Sequence, residues 1–191
     1  GSGIVSTLSG GTQMIVDQGS GTIGTMSGGS QMISSGGTGT VDIMSGGMQD
    51  ISSGGTGTVN TMSGGGQRIS SGIGTVSTMS GGVQLIESGA AGTISAMNGG
   101  VQYVQNGGTA LDTVIAGGTQ LVSSGAVVSG ATLSAGIQQV YDGTNLNNIT
   151  FAGGTQAVMS GATVSGMQVA NGVQSVASGG TAINTFGSSI T

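Results

Sequence analysis

Ten glutamines divide this chain into repeats of nearly constant length. Successive glutamines are eighteen residues apart, except that Gln67 and Gln84 are seventeen apart. The ten are Gln13, Gln31, Gln49, Gln67, Gln84, Gln102, Gln120, Gln138, Gln156 and Gln174. A repeat of this size that runs through a whole chain is typical of a solenoid, in which each coil buries its apolar face against its neighbours. The sequence therefore predicts a stack of about ten coils.

Two apolar columns accompany the glutamines. Two residues after each glutamine stands Ile15, Ile33, Ile51, Ile69, Ile86, Val104, Val122, Val140, Val158 or Val176. The residue in between changes freely, from Met14 to Asp50 to Arg68, as expected of the solvent side of a strand. A second column, before each turn, consists of Leu8, Met26, Met44, Met62, Met79, Met97, Ile115, Leu133, Phe151 and Val169. Both columns are predicted to face the core.

Glycine pairs and small polar residues separate the apolar columns, and the chain has no proline. Glycine supplies the positive φ angles of tight corners, and without proline every amide can donate to a neighbouring coil. Eighteen residues are too few for a βαβ crossover and show no helical periodicity. The sequence therefore predicts an all-β solenoid, a parallel β-helix with about ten 18-residue coils. Residues 1–191 form one domain, a rod roughly 50 Å long at about 4.8 Å per coil.

The glutamines are predicted to face inward, because each lies two residues before an inward Ile or Val. A buried amide needs hydrogen-bond partners, and a ladder of amides bonded from coil to coil provides them. The single missing residue falls between Ser70 and Thr75, where the corresponding segment Ser52–Thr58 is one residue longer. A corner can absorb this deletion, so both strand registers are expected to continue.

Composition excludes several classes of function. Lys and Arg together number 1 against 6 Asp and Glu, which disfavours binding to nucleic acid or to an anionic membrane surface. There is no Cys or His, and no two acidic residues occupy the same column in adjacent coils. The glycine-rich segments lack the recurring Asp of calcium-binding nonapeptide repeats. We expect no catalytic site, no metal site and no cofactor.

Two hydroxyl patterns remain on the predicted surface. Serines follow the Ile/Val column in pairs such as Ser52-Ser53, and single serines such as Ser45 precede corner glycines. These serines are either simple turn formers or a repeated acceptor for sugar. The threonines of Thr38-Gly39-Thr40 and Thr56-Gly57-Thr58 are similar to those of ice-binding solenoids, but the pattern covers only two coils. Ice binding is therefore disfavoured.

The repeat resembles that of a known family. Segments such as Gly117–Gly125 (GGTQLVSSG), Gly153–Val158 (GGTQAV) and Gly179–Thr185 (GGTAINT) are similar to the repeats of self-associating autotransporter adhesins. The resemblance covers the whole chain. It implies a right-handed parallel β-helix that serves as the passenger of an autotransporter. It also implies a signal peptide and a C-terminal translocator barrel, neither of which is present in these 191 residues.

The resemblance further implies a location and partners. The passenger is expected at the bacterial cell surface or secreted, reached through the outer membrane, with roles in host-cell adhesion, autoaggregation and biofilm formation. A host-cell receptor, self-association and a modifying heptosyltransferase are the implied partners. Several members carry O-linked heptose on serines. The implied acceptors in this chain are Ser34, Ser35, Ser45, Ser52, Ser53, Ser63, Ser70 and Ser71.

Two alternative functions remain open from the sequence. The chain could be a passive spacer that projects a distal binding region, or a non-catalytic part of a β-helical secreted enzyme whose active site lies elsewhere. Binding of the isolated chain to cells or to itself separates an adhesin from a spacer. Clustered Asp, His or Arg in flanking sequence would indicate the enzyme.

Overall fold

A computed structural model describes residues 1–183 and 186–187 of the chain. The described part consists of short strands joined by corners, and each coil closes after seventeen or eighteen residues. We define the coils by their glutamines, so that coil 1 contains Gln13 and coil 10 contains Gln174. The strands of coils 1 to 6 are β1 Ser2–Leu8, β2 Thr12–Ile15, β3 Ser20–Met26, β4 Ser30–Ile33, β5 Thr38–Met44, β6 Met48–Ile51, β7 Gly55–Met62, β8 Gly66–Ile69, β9 Gly72–Met79, β10 Val83–Ile86, β11 Ala91–Met97 and β12 Val101–Val104.

From coil 7 onward each coil has three strands, because the long strand is divided in two. The remaining strands are β13 Thr109–Leu111, β14 Val114–Ile115, β15 Thr119–Val122, β16 Val127–Ser129, β17 Thr132–Leu133, β18 Ile137–Val140, β19 Asn145–Asn147, β20 Thr150–Phe151, β21 Thr155–Val158, β22 Thr163–Ser165, β23 Gln168–Val169, β24 Val173–Val176, β25 Thr181–Ile183 and β26 Phe186–Gly187. The described residues contain no helix that could span a membrane.

Except for β19 and β22, the strands pair with their equivalents in the next coil, always in parallel, which confirms the predicted solenoid. The four-residue strands form one ten-stranded sheet, β2-β4-β6-β8-β10-β12-β15-β18-β21-β24. In it each glutamine lies opposite the next, as Gln49 does with Gln67. Across the deletion Gln67 pairs with Gln84 and Gly55 pairs with Gly72. The corner therefore absorbs the missing residue, and both registers continue as predicted.

The core contains the two predicted columns and a third that was not predicted. Ile33 and Met44 are fully buried, as are their equivalents from coil 2 to coil 9. The additional column occupies the middle of the long strands and consists of Ile23, Val41, Val59, Val76 and Ile94, all at 0% exposure. The long strand therefore packs on the core along most of its length and forms the second wall of the rod.

The predicted amide ladder is present. From Gln31 to Gln174 each Nε2 donates to the Oε1 of the glutamine one coil earlier, at 2.7 Å between Gln49 and Gln31. In coils 2 to 5 the amide also donates to a nearby backbone carbonyl, as Gln49 does to Thr58 O at 3.3 Å. The glutamines of coils 2 to 10 are buried, so the ladder satisfies polar groups that have no access to water.

The long strand breaks at coil 7 because its inward residues change. In coils 1 to 6 a glycine such as Gly57 fills the second inward position, where a Cβ would collide with Ile51 Cδ1 and lie 2.7 Å from Gln49 Oε1. Coils 7 to 10 place a larger residue there, such as Val128. Two residues later the backbone turns left-handed, with φ 73° at Gly130. That bend swings the chain outward and makes room for the larger side chain.

Candidate functional site

One column of serines lies at the corner after the methionine column. Each of these serines follows an inward Leu or Met and precedes two glycines, and all are exposed. The column contains Ser9, Ser27, Ser45, Ser63 and Ser80. Backbone bonds join it from coil to coil, for example from Ser45 N–H to Met26 O at 2.9 Å. The serine hydroxyls are thus presented at about 4.8 Å intervals along one edge of the rod.

The glycines of this corner explain why the serine is so accessible. A Cβ at Gly46 would collide with the carbonyl oxygen of Ser27 in the coil below, and Gly47 has φ 79°. In the serine corners of coils 1 to 5 both the second and the third position of the turn are glycine, and the positive φ of the third favours that residue. The serine therefore carries the single side chain of the corner, with no bulky neighbour beside it. Its Oγ lies close to a backbone oxygen of the preceding coil, as Ser63 Oγ does to Met44 O at 3.4 Å.

The second corner carries the paired serines. Ser34, Ser52 and Ser70 are half-buried, and the hydroxyl of Ser70 donates to Ile51 O at 3.2 Å. The second member of each pair is exposed: Ser35, Ser53 and Ser71. The two members of a pair therefore differ in access, because the first still belongs to the stacked strand and the second lies at the tip of the turn.

The turn at this corner changes type along the chain. Ser53 and Gly54 both have positive φ, 47° and 74°, and Gly55 N–H closes the turn onto Ser52 O at 2.9 Å. These values define a type I′ turn, in which a non-glycine residue is unusual. After the deletion only the glycine of the turn, Gly89 in coil 5, has a positive φ. The tip serines of coils 2 and 3 are therefore held in a backbone conformation that later coils lack.

The two serine columns border one flat face. They lie beyond opposite ends of the four-residue strands of the ten-stranded sheet, each of which is roughly 13 Å long at about 3.3 Å per residue. The face between them carries Met14 and Tyr103, which are 67% and 39% exposed. Along the edge from Ser9 to Ser80 the same serine corner repeats from coil to coil.

The charges on this face are few. Arg68 Nε donates to Glu87 Oε1 at 2.8 Å. That hydrogen bond, together with the charge of Glu87 and a weaker contribution from Asp50, raises the pKa of Arg68. The pair is exposed, so solvent screens it and it contributes little to stability. No group of three or more metal-ligating side chains occurs among the described residues.

The predicted acceptors leave out part of the exposed hydroxyl surface. Ser27 and Ser80 also precede corner glycines, lie in the same column as the predicted candidates Ser45 and Ser63, and are exposed as well. A threonine column, half-buried on the outer side of the long strands, runs through five coils as Thr22, Thr40, Thr58, Thr75 and Thr93. Two residues earlier in the long strands, Thr38 and Thr56 are followed in the next coils by Ile73 and Ala91. On these long strands, threonines two residues apart therefore occur only in the two predicted coils.

The fold and the surface together define a class: a parallel β-solenoid with an amide-ladder core and exposed hydroxyl columns. Among solved structures the chain is similar to a hyper-glycosylated TibA55-350 fragment whose glycosylation was catalysed by TibC. The TM-score is 0.75 and the identity 28%, over 100% of this chain and 78% of that fragment. No family model and no curated protein sequence matches the chain. The chain is thus a parallel β-solenoid similar to this TibA fragment.

Proposed function

We propose that this chain is part of the passenger of an autotransporter adhesin that is displayed on the bacterial surface and O-glycosylated on serine. The exposed serine columns at both borders of the ten-stranded sheet carry this proposal. The similarity to a hyper-glycosylated TibA fragment supports it. The passenger reaches the surface through an outer-membrane translocator domain.

The modifying partner in this proposal is a heptosyltransferase. Its acceptors are the accessible hydroxyls, which favours Ser35, Ser45, Ser53, Ser63 and Ser71 over the half-buried Ser34, Ser52 and Ser70. Repetition makes the modification efficient, since an enzyme that fits one corner also fits the next corner about 4.8 Å away. Added sugars would cover a rod that has few charges of its own.

Adhesion to a host-cell receptor, self-association and biofilm formation follow as the proposed roles of the displayed rod. The protein acts by binding and has no chemistry of its own. The same regular stack would also suit a passive spacer that projects a distal binding region. The two functions differ in one respect, because only an adhesin presents the recognition surface on the coils themselves.

The proposal is tested by displaying the chain on cells that lack other adhesins, with and without a TibC-type heptosyltransferase. An adhesin predicts host-cell binding or cell aggregation that depends on the chain and falls when the accessible serines are replaced by alanine. Equal display of each variant is measured by surface labelling. A spacer predicts no binding in any of these cells, and that result would overturn the proposed function.

A further inference from the structure

The stack is interrupted at one place along the long-strand wall. β13 pairs with β16, β16 with β19, and β22 with β25, but β19 and β22 do not pair. Most Cα–Cα distances between β19 and β22 exceed 8 Å, whereas paired strands are about 4.8 Å apart. On the other wall of the same coils, β21 and β24 pair normally. A wedge-shaped cleft therefore opens between coils 9 and 10 on one side only.

The missing hydrogen bonds can be identified from the neighbouring coils. At the start of the strand, Asn145 N–H donates to Ala126 O at 2.9 Å one coil earlier. The equivalent bond from Thr163 N–H to Thr144 O is absent. Thr163 N–H and Thr144 C=O therefore face the cleft without a backbone partner.

The same comparison holds at the end of the strand. Gly130 N–H donates to Asn147 O at 3.0 Å, but the equivalent bond from Asn148 N–H to Ser165 O is absent. In a parallel ladder the N–H and C=O of alternate residues point to the same neighbour, so the N–H and C=O of Leu146 also face the cleft. Both walls of the cleft thus offer a row of unpaired backbone donors and acceptors.

Thr144 differs from the rest of its column at the point where the coils separate. It occupies an inward corner column that otherwise contains only small residues. The column reads Gly19, Gly37, Gly55, Gly72, Ala90, Gly108, Ala126, Thr144, Ala162 and Gly180. The column is tight, since a Cβ at Gly108 would already lie 2.8 Å from Ile86 O. Thr144 adds two heavy atoms beyond Cβ to this space, and its buried Oγ1 has no hydrogen-bond partner.

The floor of the cleft is apolar and uncharged. Leu146 and Ile149 are half-buried, although the residues below them in the same columns, Val128 and Ala131, are fully buried. Phe151 contributes to the same lining, and no charged residue does. The cleft has a volume of about 410 Å³. It therefore suits a neutral ligand that carries small apolar groups and alternating hydrogen-bond donors and acceptors.

We propose that this cleft binds an extended peptide segment, which enters as an additional parallel strand between β19 and β22. One inserted strand needs two strand spacings, about 9.6 Å, so β19 and β22, most of whose Cα–Cα distances exceed 8 Å, must separate only slightly to admit it. A peptide backbone alternates donors and acceptors at the same interval as the two walls, so it can pair with both. Alternate side chains of the peptide then point to Leu146 and Ile149 and cover them.

Thr144→Ala is the variant that tests the proposal, because it removes the wedge and the unpaired hydroxyl. The alanine matches Ala126 and Ala162 above and below it, so β19 and β22 should close and pair directly. The variant is expected to be at least as stable as the wild type. Thr155→Ala, on the outer side of the ten-stranded sheet, is the matched control.

The probe is a fluorescein-labelled peptide with the sequence of residues 127–133, whose strands pair one coil below the cleft. Hydrogen exchange is measured on Leu146, Asn148, Thr163 and Ser165, with and without peptide. In the wild type these amides should exchange fast alone and slowly with peptide. In Thr144→Ala they should be slow without peptide, and peptide affinity should fall by at least about tenfold. The control should behave as the wild type.

Several outcomes would overturn the proposal. One is slow exchange of these amides in the free wild type, which would show that the cleft is closed. Others are absence of peptide binding to the wild type, or equal binding by Thr144→Ala. A peptide with proline in place of Val128 lacks a central N–H and should not bind; equal binding would exclude backbone pairing. Protection by a maltooligosaccharide but not by the peptide would assign the cleft to glycan instead.

Discussion

Gln49 donates a hydrogen bond from Nε2 to Oε1 of Gln31 at 2.7 Å, and neither side chain is accessible to water. The same link joins each successive pair of glutamines up to Gln174. All the amides point the same way, because every Nε2 is directed toward the preceding coil. Each interior glutamine is therefore donor to one neighbour and acceptor to the other, and its loss affects both.

Replacing an interior ladder glutamine should destabilise the rod. Gln67→Leu leaves Gln49 Oε1 without its donor and Gln84 Nε2 without its acceptor, both buried. An unsatisfied buried polar group costs about 1–3 kcal/mol, so we expect a loss of about 3 kcal/mol in urea unfolding. Gln139→Leu, on the outer side next to Gln138, should change the unfolding free energy by less than about 0.5 kcal/mol. Equal effects would contradict a structural ladder.

Charging the core column should unfold coils. Ile69→Asp and Val122→Asp each place a carboxylate at a site with 0% exposure, at a cost of several kcal/mol. Thermal melting followed by circular dichroism should show a lower or broadened transition. Tyr103→Ala, which removes an exposed side chain, should shift stability by about 0.5 kcal/mol or less, and Arg68→Ala should leave the melting temperature essentially unchanged. If either Asp variant melted at the wild-type temperature, the assignment of this column to the core would be wrong.

Adding one methyl group at an inward glycine should also be costly. Gly57→Ala would drive a Cβ into Ile51 Cδ1 and toward Gln49 Oε1, and overpacking of this kind costs about 1–3 kcal/mol. Gly10→Ala is the control, because open space surrounds a Cβ there. The free energies of unfolding of both variants should be compared in urea. If Gly57→Ala left the free energy of unfolding unchanged, the long strand would be able to shift and make room for the methyl group, contrary to the tight packing seen here.

The bend that begins at coil 7 makes a separate prediction about Asp112. Its φ is 46°, a left-handed value that β-branched residues rarely adopt. Asp112→Val should lower stability by about 1–2 kcal/mol, whereas Asp112→Gly should be tolerated, as Gly130 and Gly166 are in the equivalent positions. Hydrogen exchange of Thr113 and Val114 should rise in the valine variant alone. Equal stability of the two variants would argue against a required left-handed residue.

Much of this architecture could be predicted because the same residue type recurs at the same position in many coils, so each assignment rests on many residues and not on one. The glutamine column, the Ile/Val column and the tolerance of the deletion after Ser70 all follow from register. The third core column was missed because Ile23 and Val41 share the long strand with many Ser, Thr and Gly residues. The sequence does contain a signal for the break at Asp112. The second inward position of the long strand is glycine up to Gly92 in coil 6 and becomes Ala110 in coil 7.

The exposure of individual serines and the opening between coils 9 and 10 depend on local packing, which the repeat pattern does not reveal. Ser52 and Ser53 are identical residues in a serine-rich turn, yet only Ser53 is exposed, because Ser52 remains in the stacked strand. The cleft above β19 depends on one threonine, Thr144, in a column of glycine and alanine. Such single-residue differences in access and fit become visible only when the coils are placed on one another.

The accessible serine columns are the central claim, and site-localised mass spectrometry tests them most directly. The chain, co-expressed with a TibC-type heptosyltransferase, is cleaved at Asp and Glu, and each modified hydroxyl is located by fragmentation. We predict mass added in whole heptose units on the exposed serines, ahead of half-buried Ser52 and Ser70, with none on buried Thr113. An unmodified mass, or sugar on buried hydroxyls as often as on exposed ones, would contradict the account.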